Sequence, residues 1–187
     1  CSTAAVSQFE YTERFTRYAK DCDAVVQINI GSNFSCCYQN ACLAAQDFDN
    51  VYVVESGNLS SGQGLLVVAA AKLAEQGLSG AEIAERMRAL VPKVEASFLI
   101  ERLDYMRKGG RCSAVAALGA NLLNLKPCIE VREGKMGVCK KYRGSFEKCI
   151  RQYVKDRLDG RADIAPDLAF ITHPACQKNV VDAAMEE

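Results

Sequence analysis

Ala24-Val25-Val26-Gln27-Ile28-Asn29-Ile30-Gly31-Ser32-Asn33-Phe34-Ser35 sets the architecture expected of this chain. The β-branched run Ala24–Ile30 predicts a strand that stops at Gly31. Ser35 predicts the N-cap of a helix through about Gln46. The same order recurs downstream. Val51–Glu55 reads as a second strand, Ser56-Gly57-Asn58 as its exit loop, and Ser61 as the start of a helix to about Gln76. Repeated strand–helix units predict a mainly parallel sheet with helices on its faces.

Upstream, Ser7 caps a helix to about Tyr18, with Phe9, Phe15 and Ala19 as core candidates. After Gly77-Leu78, Ser79 caps a further helix ending near Pro92. Glu82 at its third helical position completes a capping box. The pattern then changes near residues 93–97. Ser97–Ile100 is a short strand, and Cys128–Val131 and Gly137–Tyr142 flank the hairpin signal Arg132-Glu133-Gly134-Lys135. Ser145–Leu158 reads as a helix and Leu168–Thr172 as a strand. The expected organisation is an α/β lobe over 1–94 followed by an α+β lobe over 95–187. The chain opens on Cys1 without an initiator Met and stops inside a helix ending Met185-Glu186-Glu187, so it reads as a piece of a longer protein, incomplete at both ends.

The segment Leu103-Asp104-Tyr105-Met106-Arg107-Lys108-Gly109-Gly110-Arg111 runs into apolar Cys112–Leu125. Its paired glycines predict a tight turn. Ser113 predicts the cap of a helix over 114–120, and a helix start beside Arg107, Lys108 and Arg111 attracts anions. A solvated basic loop explains the same residues.

Composition removes several function classes. The 187 residues carry 23 Lys+Arg and 23 Asp+Glu, which argues against a general nucleic-acid or anionic-membrane surface. The longest apolar run, Leu65–Ala71, falls far short of the roughly 20 residues a membrane span needs, so no stable membrane insertion is expected. Ten cysteines include no C-x-x-C pair, and the single histidine, His173, has no neighbouring ligand. No metal site or cofactor is expected; reduced, mostly buried thiols fit a cytoplasmic protein.

Catalytic motifs are absent too. There is no G-x-S-x-G elbow, no P-loop and no G-x-G-x-x-G, so no catalytic residue is assigned. The polar residues that stand out follow the two strands, where open parallel sheets place their ligand cleft. Ser32, Asn33 and Ser35 in the first loop and Ser61 in the second offer hydroxyls and amides to a small anion or carboxylate. Capping by Ser35 and Ser61 explains two of these equally well.

Three blocks make the chain resemble the DegV-like fatty-acid-binding proteins. Ile30–Ala41 is similar to the family's S-S-G-L-S-G-T-Y-Q-S-A segment. Glu55-Ser56 with Ser60-Ser61-Gly62-Gln63-Gly64 is similar to its D-S…S-x-G-x-G segment, and Leu103–Pro127 to its L-x-Y-L-[RK]-K-G-G-R-I…L-L-x-I-K-P segment. The resemblance implies a two-lobe, non-enzymatic carrier of a long-chain fatty acid. The acyl tail lies in a buried apolar tunnel, lined in part by Ala114–Leu125. Hydroxyls of the first lobe hold the carboxylate, which is presented to a fatty-acid kinase. The family's T-S-x-P segment falls at Cys1-Ser2-Thr3-Ala4, so Cys1 replaces its threonine and Ser2 and Thr3 become the nearest hydroxyls. Gly31 stands where a serine is usual, and Asn33 takes a glycine position, with positive φ expected. Arg111 is assigned to the polar mouth or the kinase-docking face. The rival reading is an enzyme acting on a small phosphorylated or carboxylated substrate at the strand-end loops.

Overall fold

The computed structural model describes residues 3–112 and 125–187. It divides into two compact units, Cys1–Glu95 with Glu133–Lys135, and Ala96–Arg132 with Met136–Glu187.

In the first unit, helix α1 (Gln8–Asp21) starts at a capping box. The Ser7 backbone N–H and hydroxyl both donate to the Glu10 carboxylate at 2.8 Å, and the Glu10 N–H returns to Ser7 Oγ at 3.3 Å. Strand β1 (Val25–Asn29) pairs in parallel with β2 (Val51–Glu55), from Val25 opposite Val51 to Asn29 opposite Glu55. Between them runs α2 (Cys37–Ala45), and after them α3 (Ser60–Glu75) and α4 (Gly80–Leu90). The expected βα order and parallel pairing are both present. Tyr11 and Phe15 of α1 meet Ala41 and Ala44 of α2 over Val51, and Phe15 packs edge-to-face on Phe48. Each large apolar side chain so buried contributes about 1.5–3 kcal/mol before ordering costs. Phe9, expected in this core, is 70% exposed. It precedes Tyr11 by two positions, a spacing that does not share a helix face.

The second unit is a three-stranded sheet in the order β3 (Ala96–Leu99), β4 (Leu125–Arg132), β5 (Lys135–Arg143). β3 pairs antiparallel with β4, Ala96 opposite Val131 and Leu99 opposite Cys128. Glu133 (φ 51°) and Gly134 (φ 70°) join β4 to β5 in two residues, both left-handed as a type I′ turn requires. One side of the sheet gathers Ile129 with Leu103, Cys112, Phe98 and Val138. On the other, Cys128 packs with Tyr142, Cys149 and Tyr153 against helix α6 (Phe146–Leu158), which Ser145 caps as expected. Helix α7 (Lys178–Met185) packs on α6 and buries Ala183 and Ala184.

Two elements of the second unit differ from expectation. Asp104–Gly109 forms a helical turn, α5, which Gly110 ends at φ 67°; the chain reaches the glycines already coiled. Leu168–Thr172 is not a strand. Pro166 opens a 3-10 turn closed by the Leu168 N–H on Ala165 O at 3.1 Å. The residues that follow have no ladder partner among the described strands, and Phe170 and Ile171 are exposed. The helix expected at 114–120 lies outside the described residues.

Candidate functional site

The carboxyl ends of β1 and β2 are joined by backbone. Ser56 N–H donates to Asn29 O at 3.0 Å, and Gly31 N–H donates to Asn58 O at 2.8 Å. The loops approach so closely that a Cβ on Gly31 would sit 3.1–3.2 Å from the backbone of Gly57 and Asn58. Any side chain at that position would press on backbone, so glycine suits the joined loops. Ser56, fully buried, closes the second loop: its hydroxyl donates to Asn58 O at 3.0 Å and accepts the Asn58 N–H at 3.1 Å.

Beneath the loops lies a buried polar cluster. The Asn29 carboxamide oxygen accepts from Tyr11 Oη and Gln27 Nε2, both at 3.0 Å, and Gln63 Nε2 donates to Ile28 O at 3.0 Å. Burial pushes the Tyr11 phenol up to about 12, with Cys37 adding to the shift, so it stays a neutral donor. Asn29 Nδ2 and Asn58 Oδ1 are buried without a hydrogen-bond partner among the described residues. Each such group costs about 1–3 kcal/mol, so this is a place where a polar guest is favoured. The sequence places Ser56 and Asn58 in the exit loop and Gln63 in the following helix, but its pattern assigns none of these, nor Asn29, to the site. The visible signal was an asparagine interrupting the apolar run Val25–Ile30.

The predicted residues fall as follows. Ser32 is half-buried; its N–H donates to Glu55 Oε1 at 2.7 Å, and its hydroxyl makes no hydrogen bond to another described residue. Asn33 is exposed and is not among the residues with positive φ, which corrects that expectation. The Gly31–Phe34 turn, closed at 2.9 Å, buries Phe34 without requiring a left-handed residue at 33.

Ser35 is not the helix cap. Burying Phe34 moves the start of α2 to Cys37 with Cys36 as N-cap, and Ser35 Oγ instead accepts the Cys37 N–H at 3.3 Å and donates to Cys37 Sγ at 3.1 Å. Ser61 is not a cap either: Leu59 is extended and its carbonyl accepts the first helical N–H bonds, placing Ser61 inside the first turn of α3. Both serines are half-buried beside the strand ends. Arg111 is exposed in the second unit, its guanidinium on Gly109 O at 2.7 Å. Thr3 is exposed, and Ser2 lies outside the described residues, as do residues 114–124 of the expected tunnel lining.

Hydroxyls, amides and buried carboxamides gather at the carboxyl ends of the two parallel strands, a set of donors and acceptors chemically able to bond a small polar group. Among the described residues no group of three or more His, Cys, Asp or Glu is arranged to hold a metal ion, and no helix is long and apolar enough to cross a membrane.

The comparisons place this mixed α/β chain. The model of the family described as an uncharacterised protein, DegV family, matches residues 1–184. The chain belongs to the DegV family. A DegV domain-containing protein of Clostridium acetobutylicum is 36% identical over 159 residues, covering 83% of this chain and 57% of the relative. Among solved structures, a Thermus thermophilus DegV family protein described as fatty-acid binding is 28% identical with a TM-score of 0.75, covering 86% of this chain and 58% of that one. A Thermotoga maritima DegV lipid binding protein is 26% identical with a TM-score of 0.72, covering 83% and 55%. The chain thus spans somewhat over half the length of these proteins.

Proposed function

We propose that this chain is part of a non-catalytic carrier that binds one long-chain fatty acid and presents its carboxylate to a fatty-acid kinase in the cytoplasm. The observation that carries the reading is the likeness, over 86% of the chain, to the fatty-acid-binding Thermus protein. In this reading Ser32 and Ser35 hold the carboxylate, Asn33 and Ser61 flank it, and Ser2 and Thr3 supply the nearest hydroxyls of the N-terminal segment. Arg111 meets the partner. A desolvated carboxylate requires several donors, and the Ser32 hydroxyl, which bonds no other described residue, is one available to it. Affinity comes from the tail, at about 0.8 kcal/mol per buried CH₂ before ordering costs.

Native mass spectrometry after mild purification tests the reading. A co-purified acyl chain, or a mass shift with added palmitate or oleate, is expected; neither appearing would overturn it. Ser32→Ala should weaken ligand retention more than Cys42→Ala, and equal effects would remove Ser32 from the site. For presentation, a fatty-acid kinase given ATP should phosphorylate the bound acid faster than the same acid free in solution.

A further inference from the structure

Outside the strand-end loops, the most unusual chemistry lies where β4, β5 and α6 meet. Cys139 is exposed on the edge strand β5, and Cys128 is fully buried on the adjacent strand β4. The Cys139 thiol reaches the Cys128 carbonyl at 3.5 Å, and Arg157 of α6 places one guanidinium nitrogen 3.1 Å from Cys139 Sγ and 3.6 Å from Cys128 Sγ. The strict alternation of β5 is broken here. Consecutive Cys139 and Lys140 both reach α6, on Arg157 and Asp156 respectively. Such a break, the signature of a bulge, lets a strand aim neighbouring side chains at one face. The Arg157 side chain is itself two-thirds covered and shares its charge with Glu130 at 3.5 Å.

Two thiols on one cation form a poor metal site, because the guanidinium repels a second positive charge. They form a good oxidation site, because a guanidinium 3.1 Å from Cys139 Sγ can bond the sulfur as it attacks an oxidant and the second thiol lies on the same cation. We propose that Cys139 and Cys128 are a hydroperoxide-sensitive dithiol, with Cys139 the attacking thiol, Arg157 its stabilising cation and Cys128 the resolving thiol. Cys139 thiolate attacks the terminal peroxide oxygen, the O–O bond breaks, and the departing alkoxide or hydroxide takes a proton to leave as alcohol or water. Cys128 sulfur then attacks the Cys139 sulfenic acid. An S–S bond forms, hydroxide leaves, and it takes the Cys128 proton to become a second water. Two thiols are oxidised and one peroxide is reduced.

Exposure orders the roles: Cys139 meets the oxidant and Cys128 does not. Burial first, and then the Cys139 thiol as hydrogen-bond partner, raise Cys128 to about 11 despite the opposing pull of Arg157, consistent with its acting second. Because β5 is the sheet edge, its backbone can shift to bring the two sulfurs to bonding distance without breaking a second ladder. The disulfide carries no charge, so Arg157 is left to Glu130.

The experiment uses the wild-type chain, substoichiometric hydrogen peroxide, timed alkylation and peptide mapping. With the Arg157 guanidinium 3.1 Å from its sulfur, Cys139 should be consumed about threefold faster than exposed Cys22 and Cys36, whose thiols bond no guanidinium among the described residues. The product should be a Cys128–Cys139 crosslink. Arg157→Lys should retain most of the rate and Arg157→Gln should lose the advantage. Cys128→Ser should accumulate a dimedone-trappable sulfenic acid at Cys139. Consumption of Cys139 no faster than of Cys22 and Cys36, an unchanged rate in Arg157→Gln, or a crosslink from Cys139 to Cys149 would each overturn the proposal.

Discussion

At the residue scale, Gly31 shows how a local departure from a family's pattern acquires a reason. The family's serine there would bring a Cβ against the Gly57 and Asn58 backbone at 3.1–3.2 Å, and backbone yields less readily than a side chain. Gly31→Ser is expected to destabilise the chain by about 1–3 kcal/mol, the range typical of overpacking. A lowered urea midpoint with an unchanged slope would show it. The serine pattern Ser32–Ser35 was readable from residue order. The buried partners Asn29, Ser56 and Asn58 were not, because their role depends on two loops 27 residues apart in their first members meeting in space, from Asn29 to Ser56. The cysteines repeat that lesson: the thiols are expected to be mostly buried, yet Cys36 is exposed and Cys37 only half-buried. Burial follows helix register, which spacing of cysteines alone does not report.

Among elements, helix starts with reciprocal side-chain bonds were the most legible. The boxes Ser7–Glu10 and Ser79–Glu82 form as expected, the latter with the Ser79 hydroxyl donating to Glu82 at 2.6 Å. Ser79→Ala should cost about 1 kcal/mol, seen as a lower melting temperature, while Ser35→Ala should cost less, because it removes one 3.3 Å acceptor of the Cys37 N–H and no reciprocal box. Starts decided by tertiary demand were illegible. Burial of Phe34 delays α2, and Leu59 supplies the first acceptor carbonyl of α3. The segment Leu168–Thr172 has strand composition but no partner strand among the described residues. Strand propensity records fitness for a sheet surface and does not create one.

For the molecule as a whole, acid stability gathers contributions from both units. Hydrogen bonds from Lys140 and then Tyr142 hold Asp156 down to about 2. Backbone and hydroxyl bonds from Ser7 lower Glu10, and the Ser79 hydroxyl and N–H lower Glu82. A carboxylate depressed in the folded state stabilises fully above its unfolded value, about 4, and loses that contribution as pH falls towards the folded value. Melting temperature should therefore drop between about pH 4 and pH 2. Asp156→Asn should lower the melting temperature at neutral pH and flatten the acid limb; an unchanged acid limb would count against the Lys140–Tyr142–Asp156 cluster.

The two-residue turn at Glu133-Gly134 has a consequence in time. β4 and β5 are nearest neighbours along the chain, and hairpins of this kind close in about 1–10 μs. β3 joins β4 only after the ends of the 25 intervening residues, Ile100 to Asn124, are brought together, and β2 reaches β1 only across α2. The left-handed pair therefore favours early closure: the β4–β5 ribbon is expected to form before the other pairings, which wait on longer chain closures.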